Sequence, residues 1–458
     1  MINITVDDKA LHVSEDALLI DVLIQNDIQI PYFCYHEALG ADGNCRMCMV
    51  EIEGQKRPQV ACDTFVKEGM AVRTKTENIN RVRQNILELE LINHPIDCPI
   101  CDQAGECKLQ DFYMDYGLYD SNIESAKKVH HNKRVDLGSD VILDQERCVL
   151  CARCTRFTSD ITKTHELGII GRGDHACVST MPGRKLDNPY AMNVVDLCPV
   201  GALTSKDFRF HQRSWFLTST PSICHGCAKG CNITIDHNKE KYHDDTIYRF
   251  RPRVNLDVNG HFICDEGRLS YKALQENRQL DFTCKDNSCS EDKALEYLKE
   301  QIDQAKNITV LIDANLYNEE IEAILDFTKN RNVTIACPTS SYYDEDFKDA
   351  WLKSAWRGAN LAKIKALNIS ETLDDTKIDL LISFNHPDTH TINANKKIAF
   401  ATHQGFDADA LLPIASYSES SGSLINEEGL VQKCDKAIFR NEPVPTLIEL
   451  LLKLKDVM

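Results

Sequence analysis

Fifteen of the twenty cysteines fall in four groups before residue 265, and thiols in such numbers at short spacings are metal-binding chemistry. The first group is Cys34, Cys45, Cys48 and Cys62, with gaps of ten, two and thirteen residues. Two close cysteines with one on each side suit a [2Fe–2S] cluster, because one loop wraps the inorganic core and a distant segment closes it. The second group is His94, Cys98, Cys101 and Cys107, spaced H-x3-C-x2-C-x5-C around Gly105. A histidine before a proline commonly ends a helix, but three cysteines at chelating distance make His94 a candidate ligand. A neutral imidazole in place of one thiolate leaves a [4Fe–4S] site one unit less negative and raises its reduction potential.

The third group, Cys148, Cys151 and Cys154, is completed by Cys198 in LCPVGAL. Three thiolates at two-residue gaps grip three irons of a cube and a distant Cys-Pro supplies the fourth corner. Position 158 is Thr, and VVDL precedes Cys198, so one cluster is expected here and not two. Cys177, in the intervening loop, reads as a simple buried thiol. Arg147, Arg153 and Arg156 flank this group, where they either stabilise cluster charge or form a solvated rim. The fourth group is Cys224, Cys227 and Cys231 with Cys264 farther on, and Gly226 and Gly230 let the backbone come close. His225 inside that loop reads as a neighbour of the site or a solvent-facing residue, since four thiols already satisfy a cube. Zinc is the alternative for the first and fourth groups, because four thiols also make a mononuclear site.

The elements that must hold these residues follow from periodicity. INITVDD and KALHVSE read as two strands of a hairpin, ALLIDVLIQND as a helix, and CMVEIEG and MAVRTKT as further strands. That order resembles the β-grasp ferredoxin domain. From Thr76 to Asn93, Ile79, Val82, Ile86, Leu89 and Ile92 recur at helical steps, predicting one buried face with Thr76 as N-cap and Pro95 as terminator. After about residue 270, NITVLID, NVTIAC, IDLLISF and KKIAFAT are strand-length apolar runs, and YNEEIEAILDFTKN has helical spacing, which predicts a small parallel α/β region. No G-x-G-x-x-G, P-loop, Ser-His-Asp or H-E-x-x-H pattern accompanies them. Cys284 and Cys289 read as two ordinary thiols, and His386, His390 and His403 as ordinary surface residues.

Composition sets the frame. The 458 residues, 43% apolar and 27% charged, describe a globular chain of several domains. A net charge of −18 opposes nucleic-acid binding. No run approaches the 18 apolar residues of a membrane span, and MINITVDDKA lacks the layout of a secretory signal. The expectation is a cytoplasmic protein that reaches a membrane only through partners.

The ordered series of motifs, with CRMC at 45–48, HPIDCPICDQAGECKLQD at 94–111 and PSICHGCAKGCNI at 221–233, resembles the large iron–sulfur subunit of NADH:quinone oxidoreductase, respiratory complex I. ADALLPIASYSESSGSLINEEGLVQ at 408–432 is similar to a segment of molybdopterin-oxidoreductase-type domains. The resemblance implies an α+β and α/β multidomain protein. It places a β-grasp [2Fe–2S] domain at 1–76 and a one-histidine, three-cysteine [4Fe–4S] domain at 77–138. A [4Fe–4S] ferredoxin-like domain follows at 139–219, then a four-cysteine [4Fe–4S] domain of molybdopterin-oxidoreductase type at 220–271 and a reduced α/β domain without cofactor at 272–458. The four groups would hold one binuclear and three cubane clusters, the last lying off the main relay. Partners would be an NADH-oxidising flavoprotein and the other components of the peripheral arm, with no nucleic acid, and the location the cytoplasmic face of a membrane. Two departures bear on a pterin: only 194 residues follow Cys264, and Glu266 stands where molybdenum- or tungsten-dependent relatives place lysine. No molybdopterin is therefore expected, and the back third reads as a docking scaffold. The competing functions are electron transfer within an NAD-linked hydrogenase or diaphorase, a formate dehydrogenase, and a structural zinc protein.

Overall fold

Ile2, Ile4 and Val6 alternate with more exposed neighbours, so β1 (Ile2–Val6) turns one face inward, and it pairs antiparallel with β2 (Lys9–Val13). The computed structural model describes residues 1–458 except 119, 124–126, 139, 286, 330, 374–376 and 458. The expected domain boundary at Ser139 and the last residue of the predicted helical pattern, Asn330, lie outside the described residues. The chain divides into two compact units, Met1–Phe216 and Leu217–Met458.

In the first unit, α1 (Leu19–Gln25) buries Leu19, Ile20, Val22 and Leu23 beneath a sheet completed by β3 (Met49–Ile52), β4 (Gln59–Val60) and β5 (Ala71–Arg73). The strand order is β2-β1-β5-β3-β4, with β1 and β5 parallel. α2 (Glu77–Asn93) starts where Thr76 accepts the Ile79 N–H at 3.1 Å. Then come α3 (Lys108–Tyr116), β6 (Val135–Asp136), β7 (Val141–Leu143) and α4 (Arg153–Arg156), which runs on into a π-helical turn at 157–161. β8 (Leu167–Ile170) and β9 (Cys177–Thr180) form a hairpin; α5 (Asn193–Leu197) and β10 (Leu203–Ser205) follow, and β10 pairs with β7.

The second unit opens with an antiparallel sheet of β11 (Thr218–Ile223), β12 (Asn232–Asn238) and β13 (Thr246–Pro252). Two short helices, α6 (Asp265–Leu269) and α7 (Tyr271–Gln275), lead into β14 (Thr283–Cys284), β15 (Asn287–Ser288) and α8 (Glu291–Gln304). The α/β part continues as β16 (Ile308–Ile312), α9 (Asn318–Thr328), β17 (Val333–Ala336), α10 (Leu361–Ala366), β18 (Ile378–Phe384), β19 (Ala394–Ala401) and β20 (Ala410–Pro413). β21 (Gly422–Ile425), β22 (Val431–Cys434) and α11 (Leu447–Val457) end it. The sheet order is β15-β14-β20-β19-β18-β16-β17, with β17, β16, β18, β19 and β20 parallel. Every residue of β16 is buried, as a central strand covered on both faces requires. The mixed architecture is that expected from the sequence. Among the described residues no helix is long and apolar enough to cross a membrane.

Three expectations change. The buried row of α2 is Ile79, Arg83 and Leu87, while Leu89 is 65% exposed. Arg83 packs its stem inward, reaches the Met49 carbonyl at 3.3 Å and lies over the Tyr116 ring, so a polar letter occupies a core position that apolar periodicity skips. Cys284 and Cys289 are joined as a disulfide, since the β14–β15 pairing brings their Cα atoms to 6.1 Å. His386 is fully buried: its Nδ1 accepts the Asp388 N–H, and its Nε2 faces the Pro338 carbonyl at 3.2 Å. By the position of the α2 face, Leu87→Ala should cost about 2–5 kcal/mol. Leu89→Ala should change stability by no more than about 0.5 kcal/mol. Urea unfolding of the two variants measures the difference.

Candidate metal centres

The loop from α1 to β3 carries Cys34, Cys45 and Cys48, and Cys62 stands in the 3-10 turn after β4. All four are buried. Their sulfurs contact one another, Cys34 with Cys45 and Cys62, and Cys62 with Cys48. Those contacts push the Cys34 and Cys48 thiols down and Cys45 and Cys62 up. The Phe33 N–H also points at Cys45 Sγ, at 3.4 Å.

His94 caps the C-terminus of α2, its N–H donating to the Glu90 carbonyl. Its Nδ1 is buried without a hydrogen-bond partner, and burial holds the ring's pKa down to about 4, so the imidazole is neutral and offers a lone pair. Cys98 and Cys101 bracket a 3-10 turn, and Cys107 is the N-cap residue of α3. Burial raises Cys101 and lifts Cys107 to about 11. Gly201, three residues after Cys198, presses on this set: a Cβ there would lie 2.4 Å from Cys101 Sγ.

Cys148, Cys151, Cys154 and Cys198 line one small pocket with Leu143, Val200 and Ala202. Between the cysteines, Leu150 and Ala152 take left-handed backbone conformations, φ 48° and 58°, at a cost of about 1–2 kcal/mol each. Such alternation turns successive N–H groups toward an anion, and the Leu150 N–H meets Cys148 Sγ at 3.4 Å. Burial raises all four thiols, Cys151 to about 12. Cys177 lies on β9, half-buried and outside this pocket.

The flanking arginines are anchored inside the unit rather than forming a solvated rim. Arg147 holds Asp97 through two bonds of 3.2 and 2.8 Å. Arg153, 3% exposed, donates to the Leu197 and Tyr35 carbonyls. Arg156 donates to the carbonyls of Leu39, Gly40 and Cys34.

In the second unit, Cys224, Cys227, Cys231 and Cys264 line a cavity of about 430 Å3 with Gly226, Gly267, Glu266 and Arg357. Among the described residues no three His, Cys, Asp or Glu groups close on a point as a single metal ion requires; these four thiols line a volume. The Gly226 N–H donates to Cys224 Sγ at 3.4 Å, and the Gly267 N–H to Cys264 Sγ at 3.3 Å. A Cβ on Gly267 would come within 3.0 Å of Cys224 Sγ and 3.2 Å of Cys264 Sγ, so glycine keeps the cradle open. Arg357 bonds the Gly226 carbonyl at 2.8 Å and Glu266 at 2.7 Å. His225 is not solvent-facing: its ring stacks on Tyr417 at 3.7 Å with Tyr317 edge-on, and burial lowers its pKa to about 3.

The donor chemistry of the four sets, soft thiolates with one neutral imidazole, fits iron–sulfur cores. Each set also falls inside one family model. The 2Fe-2S iron-sulfur cluster binding domain matches residues 1–77, and the NADH-ubiquinone oxidoreductase-G iron-sulfur binding region matches 83–122. The NADH-quinone oxidoreductase subunit 3 ferredoxin-like domain matches 138–204, and the molybdopterin oxidoreductase Fe4S4 domain matches 217–276. The G subunit of NADH-quinone oxidoreductase from Rickettsia felis is 38% identical over 313 residues, 67% of this chain and 45% of its own length. The NADH-ubiquinone oxidoreductase 75 kDa subunit of Reclinomonas americana is 37% identical over 336 residues, covering 72% of this chain and 48% of its own. This chain belongs to their family, the large iron–sulfur subunits of NADH-quinone oxidoreductase.

Relative to that family, the chain spans about half the length of the curated relatives it matches. A chain of an NAD+-reducing [NiFe]-hydrogenase, 30% identical, superposes with a TM-score of 0.42 over 46% of this chain and 90% of its own, too low to bear on the assignment. What motif spacing missed is the role of residues outside the groups: Gly201, Gly267 and Arg357 act through space. The sequence signal available for Gly201 is its place three residues after Cys198, inside LCPVGAL. Gly201→Ala should displace Cys101, so that anaerobically reconstituted protein binds about four fewer irons than the parent. Iron analysis checks this, and an undiminished content would mean that the loop yields instead.

Proposed function

We propose that this chain is an electron-relay subunit of a complex I-type NADH:quinone oxidoreductase, with no substrate site of its own. The observation that carries the reading is the set of four sulfur-rich donor groups, buried or half-buried, each in a segment matched by an iron–sulfur domain model. In it, Cys34, Cys45, Cys48 and Cys62 hold a [2Fe–2S] cluster. His94, Cys98, Cys101 and Cys107, then Cys148, Cys151, Cys154 and Cys198, then Cys224, Cys227, Cys231 and Cys264 hold three [4Fe–4S] clusters. Bound clusters supply single-electron oxidation and reduction. The chain's own residues bind them, exclude water and fix their separation. Electrons would come from an NADH-oxidising flavoprotein partner and leave toward quinone through other peripheral-arm components, at the cytoplasmic face of the membrane.

Contacts in the first unit join the segments that carry these sets. The Cys148–Cys198 set is bonded to the first set through Arg153, Arg156 and the Asn44 side chain, which donates to the Leu150 carbonyl at 3.0 Å. It meets the His94 set through the Lys108 N–H, which bonds the Pro199 carbonyl at 2.9 Å, and through Gly201 against Cys101. The third set is therefore in contact with the segments of both the first and the second.

Anaerobically purified protein should contain about 14 irons per chain, with matching acid-labile sulfide. Four mononuclear zinc sites would instead give about four zincs and no labile sulfide. Low-temperature EPR of reduced protein should resolve a binuclear signal beside cubane signals. With His94→Cys, the second cluster should still assemble but titrate at a more negative potential, because a charged thiolate replaces neutral imidazole. An unchanged potentiometric EPR titration would remove His94 from the ligand set.

A further inference from the structure

Two arginines in one turn of helix reach across to a loop more than a hundred residues away in sequence. Arg153 and Arg156 lie on α4, the helix that carries Cys154, and between them they donate to five backbone carbonyls. Arg153 spans from Leu197, the neighbour of Cys198, to Tyr35, the neighbour of Cys34. Arg156 ties down the first set's loop at three carbonyls: Cys34 itself, Leu39 at 3.0 Å and Gly40 at 3.1 Å. A planar guanidinium presents its donors in a fixed fork and so holds these carbonyls in one geometry, whereas an ammonium on a flexible stem does not fix them. The Asn44 side chain, bonded to the Leu150 carbonyl, adds a contact from the same loop in the opposite direction.

A cation buried as deeply as Arg153 requires negative charge nearby. Its bonds to the Leu197 and Tyr35 carbonyls place it between the segment of Cys198 and the segment of Cys34. The Tyr32 ring also lies beneath the guanidinium, at 5.9 Å. The guanidinium thus has one of the two cysteine segments on each side.

We infer that Arg153 and Arg156 form a positioning clamp that fixes the separation of the first and third cluster sites and places one shared cation between them. The inference rests on the cluster reading proposed above. Loss of the clamp loosens the Cys34–Gly40 loop and leaves each site without the cation it shares. A wider or variable separation slows electron transfer between the two centres.

The test uses the full chain, purified anaerobically, as Arg153→Met, Arg153→Lys, Arg156→Met and Asn44→Ala variants, with iron and sulfide measured on each. In Arg153→Met the potentials of both the binuclear and the third centre should move to more negative values, and Arg153→Lys, which keeps the charge, should restore them. In Arg156→Met, and more weakly in Asn44→Ala, the magnetic relaxation of the binuclear EPR signal by the neighbouring reduced cubane should diminish. Freeze-quench transfer between the two centres should slow in parallel. A potential shift confined to one centre in Arg153→Met overturns the shared cation. Relaxation and transfer unchanged in Arg156→Met overturn the clamp, and where that variant fails to retain iron, unchanged relaxation in Asn44→Ala does so. Absence of a binuclear signal from the parent protein would instead defeat the cluster reading, an outcome distinguishable from signals that are present but insensitive to the arginines.

Discussion

A buried thiol resists ionising, and a buried thiolate needs charge or N–H groups around it; this conflict shapes the rest of the structure. Burial raises every thiol of the third set and every one of the fourth. Metal coordination resolves the conflict because iron replaces the protons and several sulfurs share one core. The chain prepares for it with backbone N–H groups that donate to the sulfurs of Cys45, Cys148, Cys224 and Cys264. The second set takes another route: by using one imidazole that burial keeps neutral, it carries one charge fewer from the outset.

The same demand explains why the α/β region of the second unit is tied to the fourth set. Its loop is gripped at successive points: the Ala228 N–H donates to the Trp356 carbonyl, the Glu427 N–H to the Ala228 carbonyl, and the Gln432 side chain to the Gly230 carbonyl at 2.9 Å. Arg357 reaches the cavity from the segment before α10, its guanidinium resting on Phe347 at 3.8 Å. Farther from the cavity, at the ends of β16 and β18, Asp313 accepts bonds from Tyr342 at 2.7 Å and Asn385 at 2.8 Å, closing a buried polar network. The fourth loop is thus fastened to the β21–β22 hairpin and to the segment before α10.

Residue spacing made the donor sets legible, because a loop that must curl around a core leaves cysteines two or three residues apart whatever its remaining sequence. Strand alternation and the Thr76 cap were legible for the same reason, since each is local. Features that depend on chain segments distant in sequence were not. Apolar periodicity placed Leu89 inside α2 because it counts arginine as polar, whereas Arg83 spends its stem on the core and its charge on Met49 and Tyr116. The Cys284–Cys289 bond needs the β14–β15 pairing, and the burial of His386 needs the ends of two parallel strands. Arg153 and Arg156 read equally as surface charge until the Cys34 loop is folded against them.

That last case shows how the first unit trades local strain for long-range order. Leu150 and Ala152 accept left-handed backbone in a loop where glycine would be easier, yet a glycine there would add flexibility beside three cysteines. The side chains cost conformational energy but hold the turn that presents Cys148, Cys151 and Cys154 on one side. With that turn stiff, α4 begins at a defined angle, and its two arginines meet carbonyls more than a hundred residues earlier in the sequence. A flexible turn would let each cysteine find a core while leaving the arginines without fixed targets. Stiffness in the ligand loop and reach in the arginines therefore work together: the first sets where the sulfurs are, and the second sets where the neighbouring sulfurs are relative to them.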